Sequence, residues 1–292
     1  MVAPPLDSRL VALTAGPRRF LVQWRLPLFI AALALFGSGS WYAAKQLGVS
    51  FAQLQKGPLL VMLALAPLSL LYAGVGMVLL ARSARVVMPI GRATSLASWA
   101  TLAEALPLPG GAMVRAGALM ASGTGLARSS ALVLANALLW IALAALGCGL
   151  AVWQHGVGVA GLLTFAGAGG TVLASGWLLR QGGMAVMVQS VLHRLSGMAL
   201  IAIRLHLAFL TLGVFVSVAD TLPFALANIA GSAAAIAPAG LGISETLAAA
   251  AAGTVNVPPA AAFLAVGLDR LICLTASGLL VFAASRWRSA EG

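Results

Sequence analysis

Six runs of apolar residues recur along the chain, at about 26 to 44, 58 to 81, 129 to 153, 157 to 179, 205 to 228 and 260 to 284. Each matches the roughly 20 helical residues that cross a hydrocarbon core about 30 Å thick. No other feature limits the fold so strongly. In lipid the backbone must satisfy its own hydrogen bonds, so a spanning segment is a helix or a strand of a closed barrel. Runs of Ala, Leu and Gly without alternating polar positions argue against the barrel. Composition agrees: of 292 residues 61% are hydrophobic and 8% charged, with a mean hydropathy of +1.04, against about a quarter charged in a soluble domain. The expected class is an all-α polytopic membrane protein with about six transmembrane helices.

The formal charge of +11 points to topology before it points to nucleic acid, because the basic residues stand singly or in pairs between apolar runs. With a cytoplasmic N-terminus, Arg9, Arg18, Arg19, Arg25, Arg82, Arg85, Arg92, Arg128, Arg180, Arg194, Arg204, Arg286 and Arg288 fall inside, and Lys45 and Lys56 outside. That asymmetry predicts a multi-pass membrane protein with both termini in the cytoplasm. Residues 1–25 form a basic cytoplasmic segment. The run after it is too long for a signal-peptide core and lacks a convincing cleavage site, so it is expected to stay in the membrane. Cys148 and Cys273 lie in apolar segments with no Cys or His at ligand spacing, and are expected to act as small hydrophobes. No metal or cofactor is expected.

Two apolar stretches are broken: Ala93 to Arg128 by "LPLPGG", and Ile229 to Pro259 by "APAGLG" and "NVPP". Pro and Gly clusters interrupt helices, so each stretch is expected to be a re-entrant pair of half-helices, which is tolerated where the irregular backbone is buried or faces a wet cavity. The chain then divides into 26–153, with re-entrant 93–128, and 154–292, with re-entrant 229–259. The second starts from the opposite face, so the two would be inverted repeats. A shift of 130 positions sets Gly110 on Gly240, Arg115 on Glu245 and Gly123 on Gly253, with about ten identities in some 36 positions. In transporters of this architecture the substrate site lies where the broken elements meet near the midplane. The segment "RQGGMAVMVQSVLHRLSGMALIAIR" (180–204) is expected to lie on the cytoplasmic leaflet as an amphipathic helix, or to be a plain connector.

An ionisable side chain at membrane depth costs on the order of 3 kcal/mol on insertion scales, so each needs a partner, water or a role. Six qualify: Glu104, Arg115, Asp220, Glu245, Asp269 and Arg270. Gly240 and Gly242 are expected to turn the chain before a half-helix beginning near Ile243, which places Glu245 in its first turn against the positive end of the dipole. Glu245 is then either a cap or a cavity residue that meets a head group or a proton. Arg115 carries a planar fork suited to phosphate; the alternatives are ion pairs with Glu104 or Glu245. Asp269 and Arg270 point about 100° apart on a helix and do not simply neutralise each other, so Arg270 is expected to face the bundle interior. No nucleophile–base pair, phosphate loop or paired carboxylates with hydrolase spacing is discernible, which argues against an enzyme.

"AIAPAGLGISETLAAAAAGTVNVPPAAAFLAVGLDRL" and "LPLPGGAMVRAGAL" resemble the two motif regions of the transmembrane part of bacterial lysylphosphatidylglycerol synthetases and their stand-alone relatives. The family has Pro-Gly-Gly-x-Gly-x-x-Glu followed by a helix with an Arg, and Leu-Pro-x-x-x-Gly-Glu-x-x-Arg in its first half. Gly240, Gly242, Glu245, Arg270, Gly111 and Arg115 match by position. Two positions depart: Ala112 stands for the first-half acid and Ala239 for a glycine. The resemblance implies a lipid flippase that moves an anionic or aminoacylated phospholipid head group through a polar cavity. It further implies a membrane lipid as substrate, a separate lipid-synthesising enzyme as a partner, since no aminoacyltransferase domain is present, and no nucleic acid; a homo-oligomer is left open. The substrate-binding set expected is Arg115, Glu245, Arg270, Gly240, Gly242, Gly111, Glu104, Asp269 and Asp220. The alternatives are a carrier of small anionic solutes or an accessory subunit of a lipid-modifying system.

Overall fold

The computed structural model describes residues 27, 30, 31, 33–104, 110–233 and 241–290. Among these residues the chain is all-helical: α1 (residues 33–47), α2 (Lys56–Ser83), α3 (Ile90–Ala103), α4 (Gly110–Met120), α5 (Leu126–Ala151), α6 (Val157–Thr211), α7 (Leu222–Ala233), α8 (Ile243–Ala251) and α9 (Pro259–Ala290), with short 3-10 turns between some of them. Four helices, α2, α5, α6 and α9, are long and apolar enough to cross a membrane. The distribution of side chains fits that environment. Leu35, Leu134, Phe165, Leu173 and Leu279 face outward, while Glu245, Asp269, Arg204 and Arg270 are buried. A protein folded for water has the opposite arrangement.

At 1.5 Å per residue, α6 would be about 80 Å long if straight, far more than a bilayer. It is not straight. Gly183 has φ 81° and ψ 176°, a region open only to glycine, and it divides α6 into a first arm (157–182) and a second arm (184–211). Leu178 and Met198, on opposite arms, share one apolar cluster with Leu139 and Leu143 of α5. Twenty residues of straight helix would hold them about 30 Å apart, so the chain folds back at Gly183.

The fifth expected span, 205 to 228, is not a helix in one piece. The second arm ends at Thr211, and Gly213 with φ 76° closes it. Val214 N–H donates to Phe209 O at 3.0 Å and Gly213 N–H to Leu210 O at 2.9 Å, the pairing of a Schellman cap. A β-branched run, "VFVSV", follows as non-helical chain before α7. The segment 180–204 is also corrected: it is part of α6 and packs within the bundle, where His193 stacks on Tyr72 at 4.0 Å between centroids and Arg194 lies 5.1 Å from the Trp140 centroid.

Both broken stretches contain two short helices packed on each other, α3 on α4 and α7 on α8. Their outer helices start earlier than expected, at Ile90 and Leu222. At 14, 11, 12 and 9 residues each is shorter than a span. Helix ends recur at nearly constant spacing: Ala103 and Ala233 close α3 and α7, Met120 and Ala251 close α4 and α8, and Leu126 and Pro259 open α5 and α9. The α7–α8 crossing is close because Gly231 has no side chain; a Cβ there would meet Ser244 Oγ and lie 2.7 Å from Ser244 Cα. Helices α3 and α6 both pack against α9, which brings the first hairpin to the same helix that closes the second.

Candidate functional site

Asp269 and Arg270, adjacent on α9, point to different neighbours, as their 100° offset requires. Asp269 takes a bidentate pair from Arg204 on the second arm of α6, Nε to Oδ1 at 2.7 Å and Nη2 to Oδ2 at 2.8 Å, and Arg204 Nη1 donates to Ser69 Oγ on α2 at 2.6 Å. Two parallel charge-assisted bonds are the strong form of this contact. Arg270 turns toward the second hairpin. Its Nη2 lies 2.9 Å from Asn228 Oδ1 and 2.8 Å from Ser232 Oγ on α7, and 2.6 Å from Ser244 Oγ on α8. Its Nη1 faces Glu245 Oε1 at 3.5 Å.

Glu245 is fully buried, at 0% exposure. Gly242, at φ 82°, begins the half-helix, and its N–H donates to Glu245 Oε2 at 2.7 Å, so one carboxylate oxygen caps the helix from inside its first turn. Among the described residues, the other oxygen has Arg270 Nη1 across from it. Both atoms lack a hydrogen-bond partner, because 3.5 Å exceeds the usual N–H···O range of 2.7–3.2 Å. Such buried, half-satisfied groups are uncommon.

Several of these residues line a cavity of about 120 Å³, whose walls are Thr101 of α3 and Glu104 at its C-cap, Arg204 of α6, Asn228 and Ser232 of α7, and Asp269, Arg270, Cys273 and Leu274 of α9. It draws on both hairpins. Glu104 is held by Arg115 Nη2 at 3.0 Å and packs over Gly111, where a Cβ would lie 2.5 Å from Glu104 Oε1. A carboxylate from the C-cap of α3 therefore occupies the space beside Arg115 although residue 112 is alanine. With oppositely charged groups on facing walls, the cavity can hold an oxyanion, a zwitterion or ordered water. Among the described residues no cluster of His, Cys, Asp and Glu is placed to hold a metal ion.

Of the residues singled out from sequence, the structure brings Glu104, Asp269, Arg270 and Glu245 to or directly behind the cavity, with Gly242 and Gly111 supporting two of them. Arg115 stands one ion pair away, through Glu104. Asp220 belongs elsewhere: its Oδ2 accepts from Ser217 Oγ at 2.6 Å in the turn before α7, and it does not line the cavity. Gly240 and Ala239 lie outside the described residues. Sequence reasoning missed Arg204, Asn228, Ser232, Ser244 and Ser69. Arg204, counted with the basic residues between apolar runs, is 7% exposed and paired with Asp269. The available signal was its place in the run "MALIAIRLHLAFL", where one charge interrupts an otherwise apolar stretch.

No protein family, curated protein or solved structure matches the chain.

Proposed function

We propose that this chain is a stand-alone lipid translocator, of the kind its two motif regions resemble in the bacterial lysylphosphatidylglycerol synthetases, and that it carries an anionic or aminoacylated phospholipid head group through the polar cavity. In this reading α1, α2, α5, the two arms of α6 and α9 are six spans. The hairpins α3–α4 and α7–α8 are the two re-entrant pairs, each repeat contributing three spans and one hairpin in opposite orientation. The protein sits in the bacterial cytoplasmic membrane with both ends in the cytoplasm.

The observation that carries the reading is Arg270, which is buried, lines the cavity and keeps an Nη1 without a hydrogen-bond partner among the described residues, 3.5 Å from Glu245 Oε1. A guanidinium with unspent donors in an apolar bundle is suited to a phosphate oxygen. The polar wall is also shared between the two hairpins, the place where transporters built from repeats hold substrate. Reconstitution into liposomes with labelled phosphatidylglycerol, an aminoacylated phosphatidylglycerol and a polyprenyl phosphate sugar tests it. At least one label is expected to cross in wild-type vesicles, and Arg270→Gln is expected to slow it at least tenfold, the loss of one charge-assisted contact of about 1.5–3 kcal/mol. Folded wild-type protein that moves none of the three refutes the proposal for these lipids.

A further inference from the structure

Resting on that reading, we infer that the site takes up a phosphodiester anion and a proton together, the anion on Nη1 of Arg270 and the proton on Glu245. The gap between Arg270 Nη1 and Glu245 Oε1 is too long for a hydrogen bond. The other guanidinium nitrogen is held on Asn228, Ser232 and Ser244, and the other carboxylate oxygen on Gly242 N–H. Both partners are thus fixed at one end and unsatisfied at the other. An anion entering the cavity meets Arg270, which lines it, and draws the guanidinium charge away from Glu245, which among the described residues has no other positive charge opposite it.

Among the described residues, the groups facing Glu245 offer no replacement. On α9 it has Arg270 itself and, behind its Cγ, Gly267; Asp269 is committed to Arg204. From α7 come Asn228 and Ser232 at Arg270, neither of them charged. Glu104, across the cavity, is itself negative and is paired with Arg115. A carboxylate with no exposure to solvent and no counter-charge is costly enough that it binds a proton instead. The step balances simply: a proton from water adds to Glu245 Oε1, no covalent bond of the anion changes, and anion plus proton enter as a neutral sum. By linkage, each ligand strengthens the other by the same factor.

Dimethyl phosphate and dioctanoyl phosphatidylglycerol, both singly charged phosphodiesters across pH 5–8, are suitable probes for the full chain in detergent. Binding is expected to weaken with rising pH, approaching tenfold in Kd per pH unit where the free site is ionised, with uptake of about one proton per bound anion seen by an indicator dye in weak buffer. Glu245→Gln keeps an oxygen for Gly242 N–H and copies the protonated acid, so its affinity is expected to match the wild-type low-pH value and to be flat with pH. Binding of the lipid but not of dimethyl phosphate assigns the source to a membrane lipid; binding of both assigns the shared phosphodiester. In either case the pH slope supports the coupling. Wild-type binding with a flat pH profile and no proton uptake overturns the coupling and leaves the anion site standing. Absence of binding at every pH overturns both. The dye measurement needs only the wild type, so a variant that fails to fold does not block the test.

Discussion

Asp269→Ala is expected to destabilise the protein by about 3–5 kcal/mol, the range for removing one partner of a buried ion pair. Arg204 cannot shed its charge and is buried with Asp269 as its bidentate partner. Without Asp269, the side-chain partners of Arg204 are neutral, the Ser69 hydroxyl and the Cys273 thiol. The effect should appear as a lower midpoint in mixed-micelle denaturant titration. Replacing both members, Arg204→Met with Asp269→Leu, should recover most of the loss, because an apolar pair of similar volume avoids the desolvation of two ions. If Asp269→Ala alone is as stable as wild type, the pair does not hold α6 to α9 and the account of the site's rear wall is wrong. Recovery in the double variant would also separate stability from transport, since the cavity would then have lost one of its arginines.

Gly231→Ala is the second large effect. The added Cβ would collide with Ser244 Oγ and come within 2.7 Å of Ser244 Cα and 2.8 Å of its nitrogen. The side-chain oxygen can rotate away, but the backbone atoms cannot, so α7 and α8 must separate. Ser232 sits next to Gly231 on α7, and Ser244 and Glu245 open α8; all three face Arg270. Overpacking of this kind costs about 1–3 kcal/mol, leaving a folded protein. A displacement of about 1 Å at a site can lower a rate about a hundredfold, and a loss of that order is expected in the liposome assay. Gly117→Ala on α4 is the matched control. Nothing lies within 4 Å of its would-be Cβ, and alanine is the better helix former by about 0.5–1 kcal/mol. Equal transport by the two variants would remove the close α7–α8 crossing from the explanation of the site.

What the sequence discloses about this fold is what local chemistry decides. Apolar length is a property of contiguous residues, so the all-helical membrane class and the helices α2, α5 and α9 are legible at once. The breaks at "LPLPGG" and "APAGLG" are equally local. The path between 180 and 228 is not. His193, Arg194 and Arg204 give the second arm of α6 the pattern of a surface helix, and only tertiary partners, Tyr72, Trp140 and Asp269, show that these side chains are absorbed by neighbours. The next stretch is more apolar but contains Gly213, whose positive φ ends the helix inside what hydropathy alone joins into one span. At the site, Glu245, Asp269 and Arg270 stand out because a charge in apolar surroundings is visible from its neighbours in sequence. Arg204 and Asp269 are 65 positions apart, and Asn228, Ser232 and Ser244 are ordinary polar residues until Arg270 is placed among them. Asp220 carried the same charge signal but spends it on Ser217, three residues away, a local use that charge in an apolar run cannot distinguish from a shared one.

Gly183 gives this architecture a mechanical property. Its first arm leans on α5 through Leu178, and its second reaches Met198 in the same cluster before Arg204 grips Asp269. One peptide unit therefore connects an outer strut of the bundle to the charged centre. A tilt of that strut has a direct covalent path to Arg204 through the Gly183 turn, beside the packed contact that Leu178 and Met198 already make.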